Sequence, residues 1–174
     1  RSLIPVALAS ATAAVVRRYI IGIGPIFPTP PHPEFIGMSG ILGCVAIGLL
    51  AGFVSLALTA GVYFFEDAFH RLPIHWMWWP AIGGLVVGIG GYIFPEALGV
   101  GYGTIDRLLQ GNTTSGLILG ILLVKSIIWA VALGSGTSGG VLAPLLMIGG
   151  ASGGLAAYVL PDIGPGYWAL IAMG

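Results

Sequence analysis

Charged residues are scarce in this sequence. Six Lys and Arg and six Asp and Glu make up 7% of the 174 residues, while 57% of the chain is hydrophobic. Soluble domains contain roughly 25% charged residues, so this composition excludes an ordinary soluble domain and predicts an integral membrane protein. The formal net charge is zero, which argues against the basic surface that binds nucleic acid.

Cysteine and catalytic side-chain clusters are also scarce. The single cysteine, Cys44, lies in an apolar run, so it forms no intrachain disulfide and is interpreted as a small buried hydrophobe. Glu66 and His70 share a helix face, but they lie beside polar linker residues, which favours a solvated interface over a metal or acid–base site. With no metal-ligand or nucleophile–base spacing in the sequence, we expect neither an enzyme nor a bound cofactor.

Glycine, by contrast, is abundant, with 30 residues in the chain. Many glycines are four residues apart, and small residues at this spacing let membrane helices approach closely. The pattern predicts a compact bundle of packed helices. The pairs are Gly48 and Gly52, Gly84 and Gly88, Gly116 and Gly120, Gly149 and Gly153, and Gly150 and Gly154.

Apolar segments of unequal length predict seven or eight helical segments. The uncharged stretch from Phe35 to Phe65 exceeds the roughly 20 residues of one upright span. It is therefore one tilted helix or two helices, and the pattern favours a break between Gly52 and Gly61. Short and interrupted hydrophobic segments are typical of transporter binding sites.

The run from Gly134 to Pro144, Gly-Ser-Gly-Thr-Ser-Gly-Gly-Val-Leu-Ala-Pro, separates two apolar helices. No Asp, Glu, Lys or Arg occurs from Ser126 to Pro161, which places the run at membrane depth. Non-helical backbone is tolerated there only where it is buried in protein or lines a wet cavity. The run therefore predicts a binding site, followed by a helix from about Val141 to Val159.

Backbone N–H groups are what this loop offers to a ligand. The first N–H groups of a helix lack intrahelical partners, and the helix dipole adds roughly half a positive charge there, so an anion is favoured. Gly139 and Gly140 leave the approach open, and Pro144 fits in the first turn. The candidate anion donors are the amides of Gly140, Val141 and Leu142. An ordinary helix, capped by a hydroxyl side chain of the loop, is the open alternative.

Lys125 lies near the middle of a predicted span from Ser115 to Leu133. A charge at that depth costs at least about 2.5 kcal/mol on insertion scales. This cost favours a lysine that faces the bundle, either as an electrostatic attraction for an anion or as the partner of a buried carboxylate. Snorkelling to the membrane surface is the alternative.

The run from Gly134 to Pro144 resembles the region of CLC chloride channels and chloride/proton antiporters that carries their G-x-F-x-P motif. The resemblance implies an all-α integral membrane bundle of tilted and broken helices, from about helix H to the start of helix O. It implies that the amides of Val141 and Leu142 coordinate chloride, and Lys125 occupies the family's basic position before the loop. Leu142 stands where the family usually has phenylalanine.

The same resemblance implies chloride as the transported ion, a lipid bilayer of bacterial inner-membrane type, and a homodimer. The dimer contacts would come from the segments Leu3 to Ile20 and Phe35 to Gly52. Residues 1–174 would form part of one transport domain in a longer chain whose gating glutamate and proton-relay glutamate precede residue 1, so channel and exchanger stay open. Two other functions remain as alternatives: a non-transporting membrane scaffold and a cation-coupled secondary transporter.

Overall fold

A computed structural model describes residues 3–20, 22, 24–25, 27–31 and 36–174. Within these residues the chain is helical and contains no strand, which confirms the predicted all-α class. Two 3₁₀ turns, Trp76–Trp78 and Pro95–Ala97, and a π turn, Ile121–Lys125, connect the α-helices. The helices are α1 Leu3–Ile20, α2 Met38–His70, α3 Trp79–Ile93, α4 Tyr102–Leu109, α5 Ser115–Gly120, α6 Ser126–Gly134, α7 Leu142–Ala156 and α8 Tyr167–Met173.

Four helical segments in the described part of the chain are long and apolar enough to cross a membrane. They are Leu3–Ile20, Met38–His70, Trp76–Ile93 and Ser115–Gly134. The last of these combines α5, the π turn and α6 into one rod of 20 residues. This arrangement agrees with the integral membrane protein that the composition predicts.

The predicted break in the second apolar segment is wrong. Helix α2 continues through Gly52 and Gly61 for 33 residues, or about 50 Å at 1.5 Å per residue. A glycine inside a helix costs only about 1 kcal/mol, and Gly61 instead faces α6, where an added Cβ would lie 3.8 Å from Ala130 Cβ. Phe35, the start of the predicted segment, lies outside the described residues.

The core surrounds α7, which packs against α8, α4 and α2, while α6 packs between α2 and α3. Its buried residues are aliphatic side chains and one methionine from five helical segments. They exclude water from the middle of the bundle and hold α7 in place. The members are Ile105, Leu108, Leu109, Ile118, Ile121, Met147, Ile148, Ala151 and Ala169.

Glycines bring α7 and α8 into backbone contact. A Cβ added to Gly149 would lie 2.5 Å from the Ala172 carbonyl oxygen, and one added to Gly153 would lie 2.1 Å from the Trp168 carbonyl oxygen. This confirms the packing role predicted for that pair. At Gly48, Gly52, Gly84 and Gly88 an added Cβ would meet no described atom within 4 Å, so those spacings do not mark helix contacts within the described chain.

Candidate functional site

Helix α6 ends at Gly134 because the backbone closes a Schellman motif there. Gly136 adopts φ +80°, a left-handed conformation that glycine takes without steric cost. Its N–H donates to the Leu133 carbonyl at 2.9 Å, and the Thr137 N–H donates to the Ala132 carbonyl at 3.4 Å. These two bonds satisfy the last carbonyls of α6 and direct the chain into the loop of residues 135–141.

Two hydroxyl groups of the loop, those of Ser135 and Thr137, face α6 rather than α7. Ser135 Oγ donates to the Ala132 carbonyl at 2.7 Å, and Thr137 Oγ1 donates to the same carbonyl. Val141 is the N-cap residue of α7, and no side chain caps that helix. The structure therefore does not show the hydroxyl-capped helix that the sequence left open.

The predicted donors remain unpaired within the described part of the chain. The amides of Gly140, Val141 and Leu142 donate to no acceptor there; the first hydrogen bond of α7 runs from the Leu145 N–H to the Val141 carbonyl at 3.2 Å. Pro144 is the third residue of α7, in the first turn as predicted. These amides can therefore donate hydrogen bonds to an anion without breaking an internal bond.

Residues 138–141 of the loop lie on the surface of the described chain. Gly139 and Gly140 are exposed, and the side chains of Val141 and Leu142 are 44% and 72% exposed. Chloride or water could reach the amides from this side, since an added Cβ at Gly139 or Gly140 would meet nothing within 4 Å. Non-helical backbone at membrane depth needs to be covered by other parts of the protein. The described residues do not supply this cover for the loop.

Two neighbouring helices fix the start of the loop. The Gly134 Cα approaches α2 so closely that an added Cβ would lie 2.9 Å from the Glu66 backbone nitrogen. Ser135, which is buried, contacts Gly83 of α3, where an added Cβ would lie 2.3 Å from the Ser135 Oγ. The end of α6 is therefore held from both sides by contacts that only glycine permits.

Gly83→Ala should disturb the loop, because the new methyl would collide with Ser135, which is itself hydrogen-bonded to the end of α6. We expect a loss of about 1–3 kcal/mol of stability from this overpacking. Thermal unfolding of the full-length protein in detergent measures it. The matched control is Gly84→Ala, whose methyl meets no described atom within 4 Å; equal unfolding midpoints for the two variants would contradict the contact.

Lys125 faces the bundle, as predicted, but its partners are backbone carbonyls. It is the last residue of the π turn and is only 6% exposed. Its Nζ donates to the Ala97 carbonyl at 2.7 Å and to the Gly99 carbonyl at 3.0 Å. The nine residues of α6, about 14 Å of helix rise, separate Lys125 from the loop. Sequence reasoning missed these partners because backbone acceptors leave no signature in a side-chain pattern.

The other polar candidates do not form a metal site. Among the described residues no three His, Cys, Asp or Glu side chains come together as metal ligands would. His70 instead places its ring edge-on against Trp79, with the ring centroids 4.9 Å apart. The chemistry that the described site offers is thus hydrogen-bond donation from backbone amides.

Comparison with known proteins gives one family. The sequence matches the family described as voltage gated chloride channel over residues 1–174. The chain is 34% identical to chloride channel protein CLC-e of Arabidopsis thaliana, over 90% of this chain and 24% of that protein. It is 28% identical to the H(+)/Cl(-) exchange transporter ClcA of Yersinia pestis, over 94% of this chain and 36% of that protein.

A third relative is the voltage-gated ClC-type chloride channel ClcB of Escherichia coli, 34% identical over 63% of this chain and 26% of that protein. The chain thus spans about a quarter to a third of the length of these relatives. No solved structure gives a significant match to it.

Proposed function

The chain belongs to the voltage gated chloride channel family, and we propose that it carries chloride across a membrane, with part of the anion site at the start of α7. The relatives are named as chloride channels and as an exchange transporter. The proposal therefore covers both passive conduction and proton-coupled exchange. Transport needs no bond-making chemistry, and chloride is the only ion we assign to the site.

The observation that carries this proposal is the row of unpaired amides at Gly140, Val141 and Leu142. A hydrogen bond to a charged group contributes about 1.5–3 kcal/mol. The dipole of the 15-residue α7 adds roughly 0.3–1 kcal/mol for an anion at its N-terminus. The segment of residues 126–161, which carries the loop, contains no acidic side chain.

We assign the missing cover of the loop to the rest of a single transport domain, of which residues 1–174 are part. The exposed side chain of Leu142 would then contact that cover and help to form the wall of a water-filled pathway. Backbone amides at membrane depth are stable in such a setting. A bacterial inner membrane is the location we propose, since two of the three relatives above are bacterial.

The test is the position of bromide in crystals of the full-length protein, located by anomalous scattering, together with chloride flux into liposomes. We expect bromide within hydrogen-bond distance of the Val141 and Leu142 nitrogens. Flux without a halide at the loop would move the site elsewhere in the domain. If neither flux nor a bound halide is found, the chain is a membrane scaffold; flux of a cation instead would support a cation-coupled transporter.

We also propose a homodimer through α1 and the first half of α2. Helix α1 buries none of its residues against the described chain, although it is apolar and long enough to span a membrane. Along α2 the side chains of Ile41, Leu42, Val45 and Leu49 are exposed as well. A second copy would bury both surfaces.

The full-length protein should therefore have twice the mass of one chain in detergent, as measured by light scattering. Leu8→Trp, on the exposed surface of α1, should shift it towards the monomer because the larger ring disturbs a packed interface. The control is Leu85→Trp, which is equally exposed but lies on α3. A monomeric wild-type protein, or equal shifts for both variants, would contradict the proposed interface.

A further inference from the structure

We propose that Lys125 is a positioning residue, which holds the turn of residues 97–101 and through it the helix that supplies the anion donors. This role rests on the proposed function of α7. In this role Lys125 acts by holding the backbone in place, and not by attracting the anion over a long distance with its charge. Three sets of contacts connect Lys125 to α7 through this turn.

The first contact is the pair of hydrogen bonds from Lys125 Nζ to the carbonyls of Ala97 and Gly99, at 2.7 and 3.0 Å. Neither carbonyl accepts another hydrogen bond within the described residues. Backbone carbonyls are common partners of buried cations in membranes. Without the ammonium, both carbonyls would be left unpaired beside a buried segment, since Ala97 has no exposed surface.

The second contact is within the turn itself. Gly99 and Gly101 both adopt left-handed backbone conformations, with φ of +69° and +70°. These two glycines lie between the 3₁₀ turn Pro95–Ala97 and α4, where two carbonyls converge on one ammonium. The Gly101 carbonyl then accepts from the Thr104 and Ile105 amides, at 3.0 and 2.9 Å. The shape of the turn thus sets where α4 begins.

The third contact joins the turn to α7. The Gly101 backbone lies on the side chain of Met147, so closely that an added Cβ would be 2.1 Å from the sulfur. Met147 is completely buried and lies about one and a half turns from the start of α7. It shares the hydrophobic core with Ile105 and Leu108 of α4. A shift of the turn would therefore be transmitted to the helix whose first amides are unpaired.

Four variants of the full-length protein separate positioning from a charge effect, with chloride affinity measured by calorimetry. Lys125→Met should raise the chloride Kd about tenfold, whereas Lys125→Arg, which can donate to both carbonyls, should restore affinity. Gly101→Ala changes no charge but should weaken binding to a similar extent. The control Gly103→Ala, whose methyl meets no described atom within 4 Å, should leave affinity unchanged.

The double variant Lys125→Met, Gly101→Ala gives the sharpest comparison. Residues on one structural path show non-additive effects. We therefore expect the double variant to have a chloride Kd close to that of whichever single variant binds chloride more weakly. A charge effect predicts normal affinity for Gly101→Ala and additive losses in the double variant. Either result would overturn the positioning role.

Hydrogen exchange of the α7 amides provides a readout that does not depend on chloride. Lys125→Met should accelerate exchange at residues 145–148, near the first hydrogen bond of α7, and Lys125→Arg should not. If the wild-type protein binds no chloride, the proposed function fails while this measurement still decides the positioning role. Unchanged exchange in Lys125→Met would refute it, provided that size-exclusion chromatography shows a folded variant.

Discussion

Gly140→Pro should weaken chloride binding by roughly 10- to 150-fold, because proline removes one amide donor to an anion, worth about 1.5–3 kcal/mol. Proline also restricts residue 140 to φ near −65°, which disturbs the backbone that leads into α7. Gly140 lies directly before the N-cap residue Val141, where a small displacement misdirects all three donors. Chloride flux into liposomes and calorimetry on the full-length protein measure the loss.

Two variants separate the loss of a donor from the loss of a side chain. Gly140→Ala keeps the amide, does not require a left-handed backbone and adds a methyl that meets no described atom within 4 Å. Val141→Ala shortens an exposed side chain and also keeps its amide. Both should retain near-normal flux. Unchanged flux and selectivity in Gly140→Pro would contradict the assignment of the anion site to this loop.

Gly153→Ala should cost about 1–3 kcal/mol of stability, even though alanine favours helix formation by roughly 1 kcal/mol over glycine. The added methyl would lie 2.1 Å from the Trp168 carbonyl oxygen and 2.7 Å from Ala172 Cβ. The first of these is backbone, which cannot rotate away as a side chain can. Helices α7 and α8 would have to separate, and the thermal unfolding midpoint of the full-length protein in detergent should fall.

The neighbouring glycine offers a control for this prediction. At Gly154 an added methyl would lie 3.3 Å from the end of the Ile118 side chain, which can move by a few tenths of an ångström. Gly154→Ala should therefore change stability much less than Gly153→Ala. If Gly153→Ala unfolds at the wild-type temperature, α7 and α8 do not cross as closely as the structure shows.

Several features of the site could be predicted from residues close together in the chain. Gly136 ends α6, and Pro144 is compatible only with the start of a helix, so the loop between them follows from local backbone preferences. Candidate donors at Gly140, Val141 and Leu142 follow from the same geometry, because every helix start leaves its first amides without intrahelical partners. Only the structure showed that no side chain caps them. The G-x-F-x-P resemblance then indicated a family that the match over residues 1–174 confirms.

Other features depended on contacts between distant residues. Glycines alone did not reveal that α2 is continuous, since a glycine inside an apolar helix costs too little to end it. Glycine spacing also did not predict which glycines contact another helix. Gly153 contacts α8, while Gly84 faces open space in the described chain. The same type of residue has opposite consequences, depending on which helix lies beside it.

The sequence by itself determined that this protein is a membrane-embedded helical bundle in which a glycine loop precedes the start of a helix. Hydrophobicity, backbone preference and the geometry of a helix start are local properties, so they can be inferred without knowledge of the fold. Only the tertiary structure decided that Lys125 contacts the carbonyls of Ala97 and Gly99 and that Gly101 lies against Met147. Those contacts join residues more than twenty positions apart, and only the packing of the helices brings them within bonding distance.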